Sequence, residues 1–151
     1  MKEIKIQSLE EAKVEGIRYH NTGKDSTWKE NYFEWTSYGI ETSFKSKEIK
    51  CGLLEGWHHT PVFDVIEYHE DKELFWFYEG NAVIMFCDIV DGKGDASTAK
   101  IVRIPEGTEL EIEAGKGHFV AVAEGEHYKT VVISPNQDAP RLPLSEVIIG
   151  I

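Results

Sequence analysis

From residue 62 onward the chain is a succession of short apolar stretches, each cut off by a turn cluster. "VFDVIEYH" (62–69) alternates, with Val62, Asp64, Ile66 and Tyr68 on one face and Phe63, Val65, Glu67 and His69 on the other. "ELFWFYEGNAVIMFCDI" (73–89) reads as two strands joined by a hairpin turn at Glu79-Gly80-Asn81, with Gly80 free to take a positive φ. "AKIVRI", "ELEIE", "HFVAVAEG" and "HYKTVVIS" follow. Their breaks fall at Pro105-Glu106-Gly107, Ala114-Gly115-Lys116-Gly117 and Glu124-Gly125-Glu126. Short strands at even spacing predict an all-β sandwich or barrel. Few arrangements other than two facing sheets bury so many short strands at once.

The first third is less regular. "EIKIQS" (3–8) reads as a strand, and "SLEEAKVEG" (8–16) as a helical turn or a loop. "YFEWTSYG" (32–39) and "IETSFKS" (40–46) read as strands, and "KCGLLEGWHH" (50–59) carries another. His20 and the His58-His59 pair sit in loop-like sequence. In the tail, Pro135, Pro140 and Pro143 disfavour a long helix, and "SEVIIGI" (145–151) suggests an edge strand. Residues 1–60 are expected to pack as strands and loops on a barrel core of residues 61–151, in one structural domain. A chain of 151 residues, 41% hydrophobic and 28% charged, is long enough for one such core.

Charge and targeting signals narrow the partners. A formal net charge of −11 argues against nucleic acid and anionic membrane, since an acidic surface releases no counterions from either. The N-terminus "MKEIKIQSLEEAKVEG" has no apolar signal core, and no apolar run approaches the roughly 20 residues of a membrane span. The cytoplasm is the expected compartment. Cys51 and Cys87 form no C-x-x-C pair and read as buried, reduced thiols.

The segment "VIEYHEDKE" (65–73) bears on chemistry. It sets His69 among Glu67, Glu70, Asp71 and Glu73, directly before the aromatic run "LFWFY". Glu67 and His69, two apart, share a strand face. Two carboxylates pointing into one cavity would repel unless something cationic lay between them. Glu70 and Asp71 read as a solvated turn. Phe75 and Phe77 share the face of Glu73, as core or as the wall of a ligand pocket. Leu74, Trp76 and Tyr78 make the opposite face apolar too, which suggests that it is covered, by a second subunit or by the N-terminal segment. A homodimer is expected.

Two motifs resemble those of the cupin superfamily, small double-sheet jelly rolls (double-stranded β-helix barrels). Glu67-x-His69-x3-Glu73-x6-Gly80 resembles the first motif, with Glu67 in place of its first His and Pro61 in place of its leading Gly. Gly107-x5-Glu113-x-Gly115-x2-His118 resembles the second, with Glu113 where Pro is usual and Val122 where Asn is usual. The resemblance covers roughly residues 60–135. It implies a metal site of Glu67, His69, Glu73 and His118. Two imidazoles with carboxylates suit a divalent ion such as Mn, Fe, Ni, Co or Zn.

Within that superfamily the chain resembles the ureidoglycolate lyase family, also called ureidoglycolate hydrolase. The resemblance lies in "IEYH", in the Phe-rich segment ending at Gly80, in "GDAST" and in "GKGHFVAV". The family's usual Trp-His pair is absent, because Gly117 precedes His118, and "WHH" (57–59) lies upstream of the first motif. The implied reaction is cleavage of a ureido-substituted α-hydroxy acid to glyoxylate and urea. The implied roles are Glu67 as ligand or general base, His127 or Tyr128 as acid, and Arg103 or Lys129 facing the substrate carboxylate. Phe75 and Phe77 would line the substrate pocket. A non-catalytic small-molecule-binding cupin, a sugar isomerase and a ferrous dioxygenase are the alternatives.

Overall fold

The computed structural model describes residues 1–21, 28–35 and 39–151. Its strands are β1 (Lys2–Ile4), β2 (Ile6–Gln7), β3 (Ile17–Asn21), β4 (Trp28–Lys29), β5 (Glu34–Trp35), β6 (Ile49–Trp57), β7 (Val62–Glu67), β8 (Glu73–Glu79) and β9 (Ala82–Cys87). They continue as β10 (Ile89–Val90), β11 (Lys93–Gly94), β12 (Lys100–Ile104), β13 (Thr108–Ile112), β14 (Gly117–His118), β15 (Val122–Ala123), β16 (His127–Pro135) and β17 (Arg141–Gly150). A single helical turn, α1 (Leu9–Ala12), settles the reading of residues 8–16. Ser8 caps it: its hydroxyl accepts from the amide of Glu11, whose carboxylate accepts from the amide of Ser8.

Two layers result. One is a five-stranded sheet, β3-β13-β8-β16-β6; the other is a ten-stranded sheet, β10-β11-β17-β7-β14-β9-β12-β2, with β1 added on β17 and β15 on β9. This is an all-β, single-domain jelly roll. β4 and β5 pair separately. The first 60 residues enter both layers, β1 and β2 in the larger sheet and β3 and β6 in the smaller. Among the described residues no helix is long and apolar enough to cross a membrane.

The turn at Gly80 is not a hairpin. β8 pairs with β13 and β16, whereas β9 pairs with β12, β14 and β15 in the other sheet. Glu79-Gly80-Asn81 therefore carries the chain between layers. Gly80 has φ +75°, and a Cβ there would run into the carbonyl of His127. Sequence patterning locates such a turn but does not say which sheet the next strand joins.

Other expectations are also corrected. Residues 40–46 form no strand; they strap the outside of the five-stranded sheet. Their amides bond to side chains instead of a ladder: Ile40 N donates to Glu109 Oε2 at 2.9 Å and Lys45 N to Asp71 Oδ2 at 2.8 Å. Of the described residues in 32–39, only Glu34–Trp35 is strand; residues 36–38 lie outside them. His20 belongs to β3 opposite Glu109, not to a loop. The tail strand β17 is no edge, since it pairs antiparallel with β7 and parallel with β1. Strict alternation in β7 fails as well. Phe63 and Ile66, three apart, share one cluster, because the β7–β17 register shifts between Pro143 and Ile148.

The core has two parts. One lies between the layers and gathers Phe75, Phe77, Ile84, Phe86, Leu110 and Tyr128 among others. The second packs on the far face of the larger sheet, around Ile66, Met85, Ile101 and Ile148. With both faces covered, all six residues of β9 are buried, which is why "AVIMFC" has no polar alternation.

Candidate functional site

Four side chains meet at one end of the space between the layers. Glu67 ends β7, His69 follows two residues later, Glu73 opens β8, and His118 lies in β14 opposite Glu67. Register explains the meeting: β14 is hydrogen-bonded between β7 and β9, and the short connection 68–72 brings β8 back across the layer gap. His69 and His118 are buried, and the Glu67 and Glu73 side chains are 17% and 12% exposed.

The imidazoles are held in a defined tautomer. Nδ1 of His69 lies 2.8 Å from the carbonyl oxygen of Asp138, and Nδ1 of His118 lies 2.8 Å from that of Lys116. A carbonyl only accepts, so each Nδ1 carries a hydrogen and donates it. In the neutral rings the lone pairs therefore sit on Nε2. Both Nε2 atoms face Oε1 of Glu73, at 2.8 Å from His69 and 3.1 Å from His118. Glu67 Oε1 is 3.9 Å from Nε2 of His69.

Only a proton or another cation reconciles such a convergence of acceptors. Burial works against ionisation of Glu73, yet the hydrogen bond from His118 and the close approach of both His118 and His69 outweigh it and hold its pKa at about 2. Burial opposes the charged form of His69 too, but Glu73, the Asp138 carbonyl and Glu67 outweigh it and raise the pKa. Even so, Nε2 of His69 is buried and lacks a hydrogen bond of proper direction, despite the short distance to Glu73.

Donor atoms of Glu67, His69 and His118 all lie within 4.8 Å of one another, so the three form a cluster that could hold a metal ion. Ligands at ~2.0–2.2 Å from a common ion sit at most about 4.4 Å apart, so a small inward adjustment suffices. The donor set fits a divalent transition metal, with the backbone carbonyls as the outer partners that orient the rings.

Glu67, Glu73 and His118 also line a cavity of about 200 Å³ between the sheets. Its other walls are apolar, with Phe75 and Phe77 stacked at 6.0 Å between centroids, and with Ile84, Ile112, Phe119 and Val132. Tyr128 closes it. That ring is fully buried against Phe77, and it spreads over Gly56, where a Cβ would collide with it.

Three of the expected site residues, His127, Lys129 and Arg103, lie elsewhere. His127 is on the outer face of β16, its Nε2 2.7 Å from Glu79 Oε1 with Lys129 beside it. Arg103 faces away from the cavity, and its Nε donates to Glu124 Oε1 at 2.6 Å. All three already have carboxylate partners, and none lines the cavity. Asp71 is no solvated turn residue. It is 7% exposed and accepts from the amides of Lys45, Ser46 and Lys72, anchoring the strap to the loop that carries His69. Cys51 is exposed, against expectation, while Cys87 is buried, and both are free. The backbone partners of the two imidazoles, Asp138 and Lys116, were missed, because carbonyl contacts across the fold leave no mark on residue type.

No family model matches the chain, and no curated protein matches it. Among solved structures it is similar to RmlC from Streptococcus suis, determined in complex with dTDP-D-xylose, with a TM-score of 0.42 and 8% identity. The likeness covers 57% of this chain, and the chain spans 43% of that protein's length.

Proposed function

We propose that the protein is a metal-dependent enzyme of the cupin type, acting on a small molecule through an oxygen-rich head group such as that of an α-hydroxy acid. The observation that carries this reading is the pair of imidazoles with Nδ1 bonded to backbone carbonyls and Nε2 turned onto the Glu73 carboxylate, which is only 12% exposed. His69, His118 and Glu73 would hold the ion, with Glu67 as a fourth ligand or as a base. A divalent ion there would lower the pKa of a hydroxyl bound to it. Glu67, which lines the cavity, would take a proton from such a group. The aromatic walls exclude water from the reacting head.

The finer reading is a lyase of the ureidoglycolate type, and its support is the sequence resemblance alone. Among the described residues no Lys or Arg lines the cavity to meet a free carboxylate, so the ion would carry that role. The apolar walls suit a less polar body than a ureido group.

The test is the metal content of untagged protein, wild type against His69→Ala/His118→Ala. Near-stoichiometric metal in the wild type and none in the variant is expected. Turnover of ureidoglycolate and related hydroxy acids is then assayed with that ion. A wild type that takes up no Mn, Fe, Ni, Co or Zn after reconstitution overturns the reading.

A further inference from the structure

Tyr128, which lines the same cavity, carries a second polar group. Glu73 opens β8, whereas Tyr128 lies beside Gly80, just past the other end of that strand. The two therefore bound the cavity from opposite ends, with Phe75 and Phe77 between them on the inner face. The phenol is fully buried, and its hydroxyl has no hydrogen-bond partner among the described residues. An unpartnered buried hydroxyl is a feature that folded proteins rarely retain. Phenylalanine would fill the same space against Gly56 and Phe77 without that cost. Burial also pushes the pKa of Tyr128 to about 12, so the group stays a donor.

We infer that Tyr128 is a selectivity residue that donates a hydrogen bond to an acceptor at the far end of the ligand. The ligand class follows, and it rests on the metal-dependent reading above: a hydroxy acid whose head meets Glu67, Glu73 and His118, whose body is aromatic or otherwise apolar, and whose tail carries an oxygen acceptor. At about 200 Å³ the cavity is smaller than the ~300–1,000 Å³ of drug-sized sites, which restricts the body to about one ring.

The probes are mandelate and 4-hydroxymandelate, which differ by one terminal oxygen. Binding is measured by calorimetry on the metal-loaded full chain, wild type and Tyr128→Phe. The wild type binds 4-hydroxymandelate about tenfold more tightly, as one net hydrogen bond allows. Tyr128→Phe reduces the ratio to about one. In metal-free protein Tyr128→Phe melts no lower than wild type, since no bond is lost. Equal binding of the two acids by wild type, binding of neither to metal-loaded protein, or a ratio that survives in Tyr128→Phe overturns the inference. So does a metal-free Tyr128→Phe that melts several degrees lower, because the hydroxyl would then already have a partner. Failure to take up metal refutes the reading of the site instead, and the metal-free melting comparison still decides the role of the hydroxyl.

Discussion

Two glycines of β6 offer a controlled test of how the cavity is closed. Gly56 and Gly52 lie four residues apart on one strand, facing the same side of the sheet. A Cβ on Gly56 would lie 2.7 Å from Cζ and 2.8 Å from Oη of Tyr128, closer still to Cε1, whereas one on Gly52 would meet nothing within 4 Å. Carbon atoms pack at ~3.5–4.0 Å, so in Gly56→Ala the ring must retreat by roughly 1 Å. It cannot do so freely, being fully buried and packed on Phe77. Overpacking of this kind costs about 1–3 kcal/mol. The stiffer backbone returns about 0.5–1 kcal/mol, leaving a net loss of about 0–2.5 kcal/mol. For a domain of this size that lowers Tm by up to roughly 10 °C, and the loss relative to Gly52→Ala is about 1–3 kcal/mol. Gly52→Ala carries only the backbone gain and melts at or slightly above wild type. Calorimetric melting of the two variants beside wild type is the assay. A Gly56→Ala protein as stable as Gly52→Ala would refute the placement of Tyr128 over Gly56, and with it the shape of the cavity.

Asp71→Ala should lose about 1–2 kcal/mol, the usual cost of removing a side-chain acceptor from backbone amides, measured by urea unfolding. Burial works to raise the pKa of Asp71, but the amides of Lys72, Ser46 and Lys45 and the Lys45 charge lower it on balance. Its contribution is thus present above the ordinary Asp range near ~3.9 and lost as pH falls through the lowered value. A wild-type advantage over Asp71→Ala that did not shrink in acid would contradict this. Thiol titration of the native protein should find exposed Cys51 reacting quickly and Cys87 silent, since burial pushes the Cys87 thiol up to about 11; two fast thiols would count against a closed core around β9. We propose that two copies pair along β6, which among the described residues is the edge of its sheet and carries the exposed Leu53. Antiparallel pairing centred on Leu53 would set Glu55 opposite Cys51 and Lys50 opposite Gly56, with no like charges facing. Light scattering should then report a dimer for wild type and a monomer for Leu53→Lys, and a monomeric wild type ends the proposal.

Local chemistry carries much of this fold in one dimension. Alternating or wholly apolar runs, broken by glycine at Gly80, Gly107 and Gly115, mark where strands begin and end, because a strand shows its faces to its own neighbours in the chain. The cluster of Glu67, His69, Glu73 and His118 was legible for a related reason: three of the four lie within seven residues, and the fourth follows a recognisable glycine turn. Register and layer were not legible. Whether β9 pairs with β8 or crosses to the other sheet, whether residues 40–46 form a ladder or bond to Asp71 and Glu109, and whether β17 is an edge all depend on partners distant in sequence. The same separation hid the outward turns of His127 and Arg103. Residue type shows that a side chain can do chemistry; only the packing of β6, β8 and β16 determines which side chains share a cavity, because alternation along a strand does not specify which of its two faces is inside.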